Sequence, residues 1–228
     1  MVGMGSDDHD ARSVRETYET IASHFSETRA HPWPEVTEFV EAATQVDLGL
    51  DLGCGNGRHA AVLHERADQV LALDASRNLL REAREKLDPT WVRLLQGDAA
   101  RLPLADDCVD LAVYVATLHH LPSRERRRES LDELARVLSP EGEALVSAWS
   151  TAHDRFDADA EAETGFDTEI DWTLPGGETV ARFYHIYAPA EFEADLAASD
   201  CRVIEFEVSS GNCYARISGK SRDEAGAL

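Results

Sequence analysis

The sequence predicts an α/β fold in which helices cover both faces of one mostly parallel sheet. Helical and strand patterns alternate along the chain in one unbroken run without internal repeats, which is typical of such a sheet. The 228 residues are 43% hydrophobic, which suits one domain with a sizeable core. The strand VDLGLDLG runs into a glycine-rich turn, and sheets of this kind bind ligands at such turns.

The first part of the chain contains two predicted helices and two predicted strands. Segment 1–44 is predicted to be helical and to lie on the substrate side, with amphipathic helices at residues 11–23 and 34–44. The strand VDLGLDLG ends at Gly53, and the strand VLALD ends at Asp74. Both strands therefore end at a residue that can face a ligand.

The middle of the chain continues the alternation. Ser76 is the expected N-cap of the helix SRNLLREAREKL. WVRLLQGD is predicted to be a third strand ending at Asp98, and VDLAVYVATLHH a fourth. The helix ERRRESLDELARVL follows, and the turn SPEG introduces a fifth strand, GEALVSAWS.

Residues 151–178 interrupt this alternation, because they are rich in acids and show little periodicity. We predict a loop-rich insertion there. A short helix near 189–199 and strands near 201–208 and 212–218 follow, and residues 219–228 are predicted to be a tail. The whole chain is therefore interpreted as a single domain.

Net charge is the strongest anomaly of the composition. The chain has 44 acids against 22 bases, a net charge of −22, and only Lys86 and Lys220 among the bases are lysine. In molar salt the Debye length shrinks to about 3 Å and self-repulsion fades, so this surface predicts the enzyme of a halophile. The alternative, favoured at low salt, is a protein whose charge repels nucleic acid. DNA is not an expected partner.

The chain opens on polar and acidic residues and contains no long apolar run. Neither export nor membrane insertion is therefore expected, and the prediction is a cytoplasmic protein without a membrane partner. The four cysteines are widely spaced and form no CxxC pair. This favours isolated buried thiols over a disulfide framework or a metal site.

The stretch DLGCGNGRH carries the first chemical signal. Gly53, Gly55 and Gly57 lie on a strand-to-helix turn, where glycines let the backbone approach a ligand closely. The same glycine pattern also occurs in ordinary tight turns. The carboxylates around it therefore decide the interpretation.

Three carboxylates, those of Asp51, Asp74 and Asp98, fall at the carboxyl ends of the first three predicted strands. Asp74 follows Gly53 by 21 residues, where a carboxylate can accept both hydroxyls of a ribose. The row suits a ligand with a ribose, an adenine and a cationic amino-acid end, whereas Asp51 would repel the pyrophosphate of a dinucleotide. The alternative is three aspartates that cap helices or face solvent.

From about Val46 to its C-terminal strand, the chain resembles the class I S-adenosylmethionine-dependent methyltransferases. The resemblance implies a Rossmann-like fold, a seven-stranded sheet of order 3-2-1-4-5-7-6, and S-adenosyl-L-methionine as cofactor. In that family the acid before the glycine turn lies near the methionyl part, the second-strand acid holds the ribose, and the third faces adenine. The expected cofactor contacts are Asp51, Gly53, Gly55, Asn56, Gly57, Asp74, Asp98 and Ala99.

Four segments resemble the tRNA wobble-uridine carboxymethyl methyltransferases more specifically. They are YETIASHFSETRAHPWP, ATLHHLPSRERRRESLDELARVLSPEGEALVSAWS, FYHIYAPAEFEADL and GNCYARI. Two positions depart from the family pattern, since Cys213 stands where tryptophan is usual and Glu141 replaces the first glycine of a Pro-Gly-Gly turn. Neither is an expected cofactor contact, but Cys213 leaves a substrate or packing contact open.

The resemblance implies methylation of the carboxylate of 5-carboxymethyluridine at the wobble position of tRNA. A carboxylate with a pKa of about 4.3 is already ionised at neutral pH, so no general base is needed. Arg29 is expected to grip this carboxylate or a phosphate, with Trp33, Tyr184 and His185 as stacking or polar contacts. The alternative for Trp33, and also for Arg29, is that the segment only packs an N-terminal helix onto the core.

Two histidines, His119 and His120, end the fourth predicted strand and can either contact the acceptor or support residues that do. The expected catalytic residues are Arg29, His119 and His185. The expected substrate contacts are Arg29, Trp33, Tyr184, His120, Arg124 and Arg127.

The next helix carries the densest basic patch of the chain at its start, in RERRR. One interpretation is phosphate contact. The other is ion pairing along the helix, such as Arg128 with Asp132. The sequence leaves both open.

The third strand, WVRLLQ, falls at a sheet edge in the implied strand order. Trp91, Val92, Leu94 and Leu95 are too apolar for a bare edge. Members of the family that the chain resembles work with a small zinc-binding activator subunit, and strand addition here is the expected docking mode. The alternative is that the chain's own N-terminal helices cover this edge.

Two other functions stay open from the sequence. One is a methyltransferase of the same fold that acts on a small metabolite, because one fold hosts many acceptors. The other is a non-catalytic subunit that only binds the cofactor.

Overall fold

A computed structural model describes residues 10–156, 158 and 162–219. The predicted tail therefore lies outside the described residues except for Gly219. The elements are α1 (Ala11–Thr28), α2 (Pro34–Ala42), β1 (Val46–Leu52), α3 (Arg58–Leu63), β2 (Ala67–Asp74), α4 (Arg77–Lys86), β3 (Val92–Gln96), β4 (Val109–Val115), a 3-10 turn (Leu118–His120), α5 (Arg124–Val137), β5 (Leu138–Trp149), β6 (Phe166–Thr173), β7 (Thr179–Ile186), α6 (Pro189–Ala198), β8 (Cys201–Ser209) and β9 (Asn212–Gly219).

Seven strands form the main sheet in the order β3-β2-β1-β4-β5-β9-β8. Counted within this sheet alone, the order is 3-2-1-4-5-7-6, because β6 and β7 form a small sheet of their own. β1 to β5 pair in parallel, whereas β9 is antiparallel to β5 and to β8. The predicted fold class and strand order are therefore confirmed.

Side chains alternate across the main sheet and bury two separate cores. Leu50 and Leu52 of β1 belong to the core covered by α5 and α6. Val70 and Ala72 of β2 belong to the core covered by α2, α3 and α4. Successive strand residues point to opposite faces, so both faces need an apolar cover. This confirms helices on both faces.

The loop-rich interpretation of residues 151–178 is wrong in its second part. β6 lies inside this segment and pairs with β7 in antiparallel register around the turn that contains Gly176 and Gly177. In FDTEIDWT the buried Ile170 and Trp172 alternate with exposed acids. This period of two is the strand signal, and the high content of acids hid it.

Other predicted boundaries also need correction. The fourth strand ends at Val115 rather than at the histidines, and the third ends at Gln96. SPEG does not precede the fifth strand but forms an irregularity within β5, where Leu111 pairs with Glu143 while Val109 pairs with Leu138.

Helix α1 packs against α4 and β7, with polar anchors along its length. The carboxylate of Glu19 accepts the backbone N–H groups of Arg77 and Asn78 at 2.7 and 2.8 Å. These are free donors at the N-terminus of α4, which favours an acidic partner. Lys86 donates to Ser26 Oγ at 2.5 Å. α1 is thereby held beside the carboxyl ends of the central strands.

None of the helices in the described ranges combines the length and apolar character needed to cross a membrane.

Candidate functional site

A cavity of about 670 Å³ opens at the carboxyl ends of the central strands. One half is lined by the glycine turn after β1 and by residues after β2 and β3. The other half is lined by α1, by the 3-10 turn after β4, and by β7. A cavity of this size and position is where a parallel α/β sheet binds its ligands.

The glycine turn forms the floor of the first half. Gly53, Gly55 and Gly57 have φ values of 74°, 54° and 81°, a region that favours glycine. A Cβ on Gly53 would lie 2.2 Å from Thr117 Oγ1, and one on Gly57 would lie 2.5 Å from Leu87 Cδ1. The turn therefore needs glycine for its backbone angles and for its close packing.

Asp74 closes this turn from the second strand. Its Oδ2 accepts the backbone N–H of Gly55 at 2.8 Å, and its Oδ1 accepts that of Ser76 at 2.8 Å. Burial raises the pKa of Asp74 to about 6, against the opposing effect of these two donors. Asp74 lines the cavity, so its carboxylate can meet a ligand while it fixes the loop.

Two buried oxygen acceptors near the turn have no hydrogen-bond donor among the described residues. They are Asp51 Oδ2 and Asn56 Oδ1, and their residues are 1% and 2% exposed. Burial raises the pKa of Asp51 to about 7, although Arg58 opposes the shift. Unpaired buried acceptors are costly, so their presence fits a ligand that brings a cationic donor. Asp51 itself is not among the residues lining the cavity.

Asn56 also joins the turn to α1. Its Nδ2 donates to the carbonyl oxygens of Arg29 at 2.9 Å and Ser26 at 3.3 Å. The amide nitrogen is therefore used to hold the end of α1. Only the oxygen remains for a ligand.

Asp98 and Ala99 line the cavity after the third strand. Asp98 forms an ion pair with Arg126 from the start of α5, and its Oδ1 accepts the N–H of Ala100 at 3.0 Å. The Asp98 carboxylate is about half exposed. It is therefore fixed at the rim rather than buried.

The second half of the cavity is aromatic. Tyr184 of β7 is 4% exposed and stacks on Trp149, with ring centroids 5.1 Å apart. His119 and His120 lie against the same tyrosine, with centroids at 5.0 and 4.4 Å. All four side chains line the cavity. Together they form a surface on which a planar base can stack.

Both histidines are held neutral. Burial lowers the pKa of His120 to about 3 and that of His119 well below its usual value. His120 Nδ1 lies 2.9 Å from the carbonyl oxygen of Phe183, so it carries the proton, and Nε2 accepts from the Tyr18 hydroxyl at 2.7 Å. His119 Nδ1 accepts the N–H of Trp149 at 3.0 Å, which leaves its proton on Nε2.

Arg29 and Trp33 both line the cavity at its mouth. Arg29 is exposed at the end of α1, and its guanidinium lies 5.2 Å from the ring centroid of Trp172. Trp33 also packs against the core under α2 and α3. The structure thus gives Trp33 the packing role of the alternative interpretation as well as a place in the cavity.

Three expected site residues, His185, Arg124 and Arg127, do not line the cavity, and this corrects their placement. His185 follows Tyr184 on β7 and points to the opposite face, where Asp167 and Glu191 lie 2.7 and 3.2 Å from its ring nitrogens.

The arginines at the start of α5 are used within the fold. Arg124 and Arg128 both bind Asp195 of α6, at 2.7 and 2.8 Å. Arg127 is buried, donates to the carbonyl of Leu121, and lies over Tyr187. The ion-pairing interpretation is therefore the better one, although the partner is Asp195 and not Asp132.

Sequence reasoning missed several cavity residues, among them Tyr18 and Arg182. Tyr18 is the first residue of the segment YETIASHFSETRAHPWP, but helical periodicity alone does not distinguish it from a core residue. Arg182 stands two residues before Tyr184. Recognition of β7 as a strand places both on one face of it.

The charge of the cavity is opposite to that of the chain. Its lining contains six arginines and two aspartates, although the whole protein carries a net charge of −22. The arginines are Arg12, Arg15, Arg29, Arg58, Arg155 and Arg182. A cavity with this lining favours an anionic ligand.

A family profile described as a methyltransferase domain matches residues 50–146. The tRNA (carboxymethyluridine(34)-5-O)-methyltransferase of Saccharomyces cerevisiae is 33% identical over 162 residues, which are 71% of this chain and 57% of that protein. The Mus musculus tRNA (carboxymethyluridine(34)-5-O)-methyltransferase ALKBH8 is 37% identical over 139 residues, 61% of this chain and 20% of that protein. The chain thus spans less than two thirds of the length of both relatives.

A protein of Encephalitozoon cuniculi, named as a methyltransferase, is 31% identical over 177 residues, which are 77% of this chain and 80% of that protein. Among solved structures, a methyltransferase in complex with the Haloferax volcanii Trm112 methyltransferase activator has a TM-score of 0.68. That match is 15% identical and covers 92% of this chain and 98% of the other. The likeness to this structure is one of fold.

Proposed function

The chain belongs to the class I S-adenosylmethionine-dependent methyltransferase family, and on that premise we propose that it methylates the carboxylate of 5-carboxymethyluridine at the wobble position of tRNA. The observation that carries the proposal is the arginine-rich, aromatic cavity within a strongly acidic chain. An anionic nucleotide fits this lining, because arginine binds carboxylate and phosphate groups and aromatic rings stack on bases. The reaction named for the yeast and mouse relatives supports the same substrate.

The residues around the glycine turn fit S-adenosylmethionine. Asp74 would hold the ribose, and the unpaired oxygens of Asp51 and Asn56 would face the cationic methionyl end. Asp98 and Ala99 would border the adenine. When bound, the cofactor supplies a methyl group on a sulfonium, so a carboxylate oxygen forms the ester bond as the carbon–sulfur bond breaks and no proton moves.

The protein's own part in this reaction is positioning. His119 and His120 are neutral, so neither contributes a positive charge to the site. The acceptor carboxylate is already ionised at neutral pH and needs no base to deprotonate it. His119 offers an Nε2–H donor and Tyr184 a stacking face to orient the base. The rate is then accounted for by the fixed position of the acceptor carboxylate relative to the methyl group and by the exclusion of water.

Arg29 is proposed to contact the anionic acceptor at the mouth of the cavity, through its carboxylate or a neighbouring phosphate. We expect Arg29→Ala to lower kcat/KM on tRNA by about 10- to 100-fold, because a charge-assisted hydrogen bond is lost. Steady-state kinetics in high salt measure this. Arg202→Ala, which removes an exposed arginine of β8, is the matched control and keeps wild-type kinetics. Full turnover by Arg29→Ala excludes the proposed contact.

We propose that a small zinc-binding activator subunit adds a strand to the free side of β3, the sheet edge with Trp91, Val92, Leu94 and Leu95. α1 packs on α4 and β7 rather than along this edge, which argues against cover by the N-terminal helices. Val92 is buried and Trp91 stacks on His64, so the backbone edge, more than these side chains, is available. The activator complex named for the Haloferax volcanii structure supports the partner class.

Amide hydrogen exchange tests this docking mode. On addition of the activator, we expect slower exchange at the β3 amides that do not bond to β2. β8 is the opposite edge of the same sheet and serves as the internal control, with unchanged exchange. Protection at β8 instead of β3 contradicts the proposed edge.

The substrate itself is tested by nucleoside mass spectrometry of tRNA incubated with labelled S-adenosylmethionine, the chain and the activator in high salt. High salt is chosen because the proposed halophilic origin requires screening of a charge of −22. Label in 5-methoxycarbonylmethyluridine is the expected result, and it fits a cytoplasmic enzyme of tRNA. Cofactor binding without label in this nucleoside overturns the tRNA proposal in favour of a small acceptor or a non-catalytic subunit.

A further inference from the structure

Arg182 is a buried cation without a carboxylate partner. Its side chain belongs to β7 and lines the cavity, and the residue is only 8% exposed. No ion pair of Arg182 occurs among the described residues, and its buried Nε has no hydrogen-bond acceptor there. Burial of an unpaired charge is unfavourable unless a partner arrives. An anionic ligand group is the partner that this arrangement fits.

Two aromatic rings hold the Arg182 guanidinium in place. It lies 4.7 Å from the ring centroid of Trp172 and 5.1 Å from that of Tyr184. Stacking on aromatic faces fixes the plane of a guanidinium without using its N–H groups. Apart from a hydrogen bond to the Tyr18 hydroxyl, the donors of the fork therefore stay available for a planar acceptor such as a carboxylate.

Arg29 differs from Arg182 in its exposure and in the use of its donors, although its guanidinium also lies over Trp172. It is exposed at the end of α1, and its Nη1 donates to the carbonyl of Thr28 at 3.2 Å. Charge interactions are stronger in a buried site than at the surface, since water screens the latter. Of the two, Arg182 is better suited to recognise a single charge on a base, and Arg29 to contact the more exposed phosphate backbone.

We propose that Arg182 binds the carboxylate of the acceptor base and makes the protein distinguish that carboxylate from its methyl ester. This inference rests on the proposed function. Methylation converts a charge of −1 into a neutral ester, so the reaction removes the partner of Arg182 at the moment of product formation. The product is then held less tightly than the substrate, which favours its release.

The test compares binding of two anticodon stem-loop RNAs that differ only in the wobble base, 5-carboxymethyluridine or its methyl ester. Affinities are measured in high salt with S-adenosylhomocysteine present. For the wild-type protein we expect about 10- to 100-fold tighter binding of the carboxylate RNA. Arg182→Gln should lose most of this difference by weakening the carboxylate RNA alone, and Arg182→Lys should keep part of it.

Arg202→Gln makes the same charge change at an exposed position of β8 and should keep the wild-type preference. Unchanged S-adenosylhomocysteine affinity and melting temperature show that the Arg182 variants are folded. If Arg182→Gln weakens the binding of both RNAs equally, the residue has only a packing role and the inference is overturned. The inference is also overturned if Arg182→Gln still binds the carboxylate RNA more tightly by the wild-type factor. Turnover of the carboxylate RNA by the wild-type protein is measured in parallel. Turnover without tighter binding of the carboxylate RNA overturns this inference alone. Absence of both turnover and tighter binding overturns the proposed function as well.

Discussion

Replacement of Gly53 with alanine is expected to weaken S-adenosylmethionine binding by more than about 100-fold and to lower the free energy of unfolding by about 2–4 kcal/mol. The new Cβ would lie 2.2 Å from Thr117 Oγ1 and 2.6 Å from Thr117 Cβ. Gly53 also has a φ of 74°, which an alanine adopts only with strain. The turn must therefore shift, and the backbone that approaches the cofactor shifts with it.

Alanine substitutions at two other glycines separate the effect of backbone strain from the effect of a steric clash. Gly177 has a φ of 86° but open space around it, so Gly177→Ala should cost about 1 kcal/mol and leave cofactor binding unchanged. Gly176 has open space and no positive φ, so Gly176→Ala should change neither the free energy of unfolding nor the cofactor affinity. Denaturant unfolding and calorimetric titration in high salt measure both. A Gly53→Ala protein that behaves like Gly177→Ala contradicts the role of the collision with Thr117.

The second large effect concerns pH and Asp51. In the unfolded chain this carboxyl ionises near 3.8, whereas in the folded protein burial raises its pKa to about 7. Between these values Asp51 holds one more proton in the folded state than in the unfolded state, so its contribution to stability falls as pH rises from about 4 to about 7. The shift corresponds to at most about 4 kcal/mol. The stabilisation is fully present below pH 4 and is lost above pH 7.

Unfolding of the ligand-free protein between pH 4.5 and 8 measures this slope. The buried His59, His119 and His120 act in the opposite direction, because burial lowers the pKa of each and their contribution to stability rises with pH. The contribution of Asp51 is therefore the difference between Asp51→Asn and the wild type, and the stability of the variant relative to the wild type should increase from pH 4.5 to pH 7. Asp74, whose folded pKa is about 6, keeps its smaller falling contribution in both proteins. Asp68→Asn, at an exposed carboxylate of β2, should keep the wild-type profile. A profile that Asp51→Asn does not alter shows that Asp51 titrates in the folded protein much as in the unfolded chain.

The same titration reaches the proposed cofactor site. Ionised Asp51 and Asp74 attract a cationic methionyl end, so affinity for S-adenosylmethionine should rise between pH 5 and pH 7.5. Bound cofactor then stabilises the fold most above pH 7, where the stabilising contributions of protonated Asp51 and Asp74 are lost. Calorimetric titration across this range should give a smaller rise for Asp51→Asn.

The sequence predicted the proposed cofactor half of the cavity, around the glycine turn, better than the proposed acceptor half, which α1, the 3-10 turn and β7 line. Strand ends in a parallel sheet all lie at one edge, so Asp74 and the glycines could be brought together from spacing alone. The acceptor half depends on β7, which the sequence pattern did not reveal, and on which face of β7 each residue occupies. His185 and Tyr184 are neighbours in sequence, yet they face opposite sides.

The basic patch at the start of α5 shows a second limit of the sequence. A run of arginines in an acidic chain has the same composition whether it binds phosphate or acids of its own fold. Asp195, which binds Arg124 and Arg128, is distant in sequence and lies on another helix. Only tertiary structure brings it within reach.

The small sheet of β6 and β7 has an evolutionary consequence. It pairs with itself and not with the main sheet, yet it places Arg182 and Tyr184 in the cavity. The residues proposed to hold the cofactor all lie at, or shortly after, the carboxyl ends of strands of the main sheet. Part of the proposed acceptor surface is thus encoded in a stretch of the chain separate from the main sheet, so a lineage can alter the acceptor by exchanging one hairpin while the strands that border the proposed cofactor site are inherited unchanged.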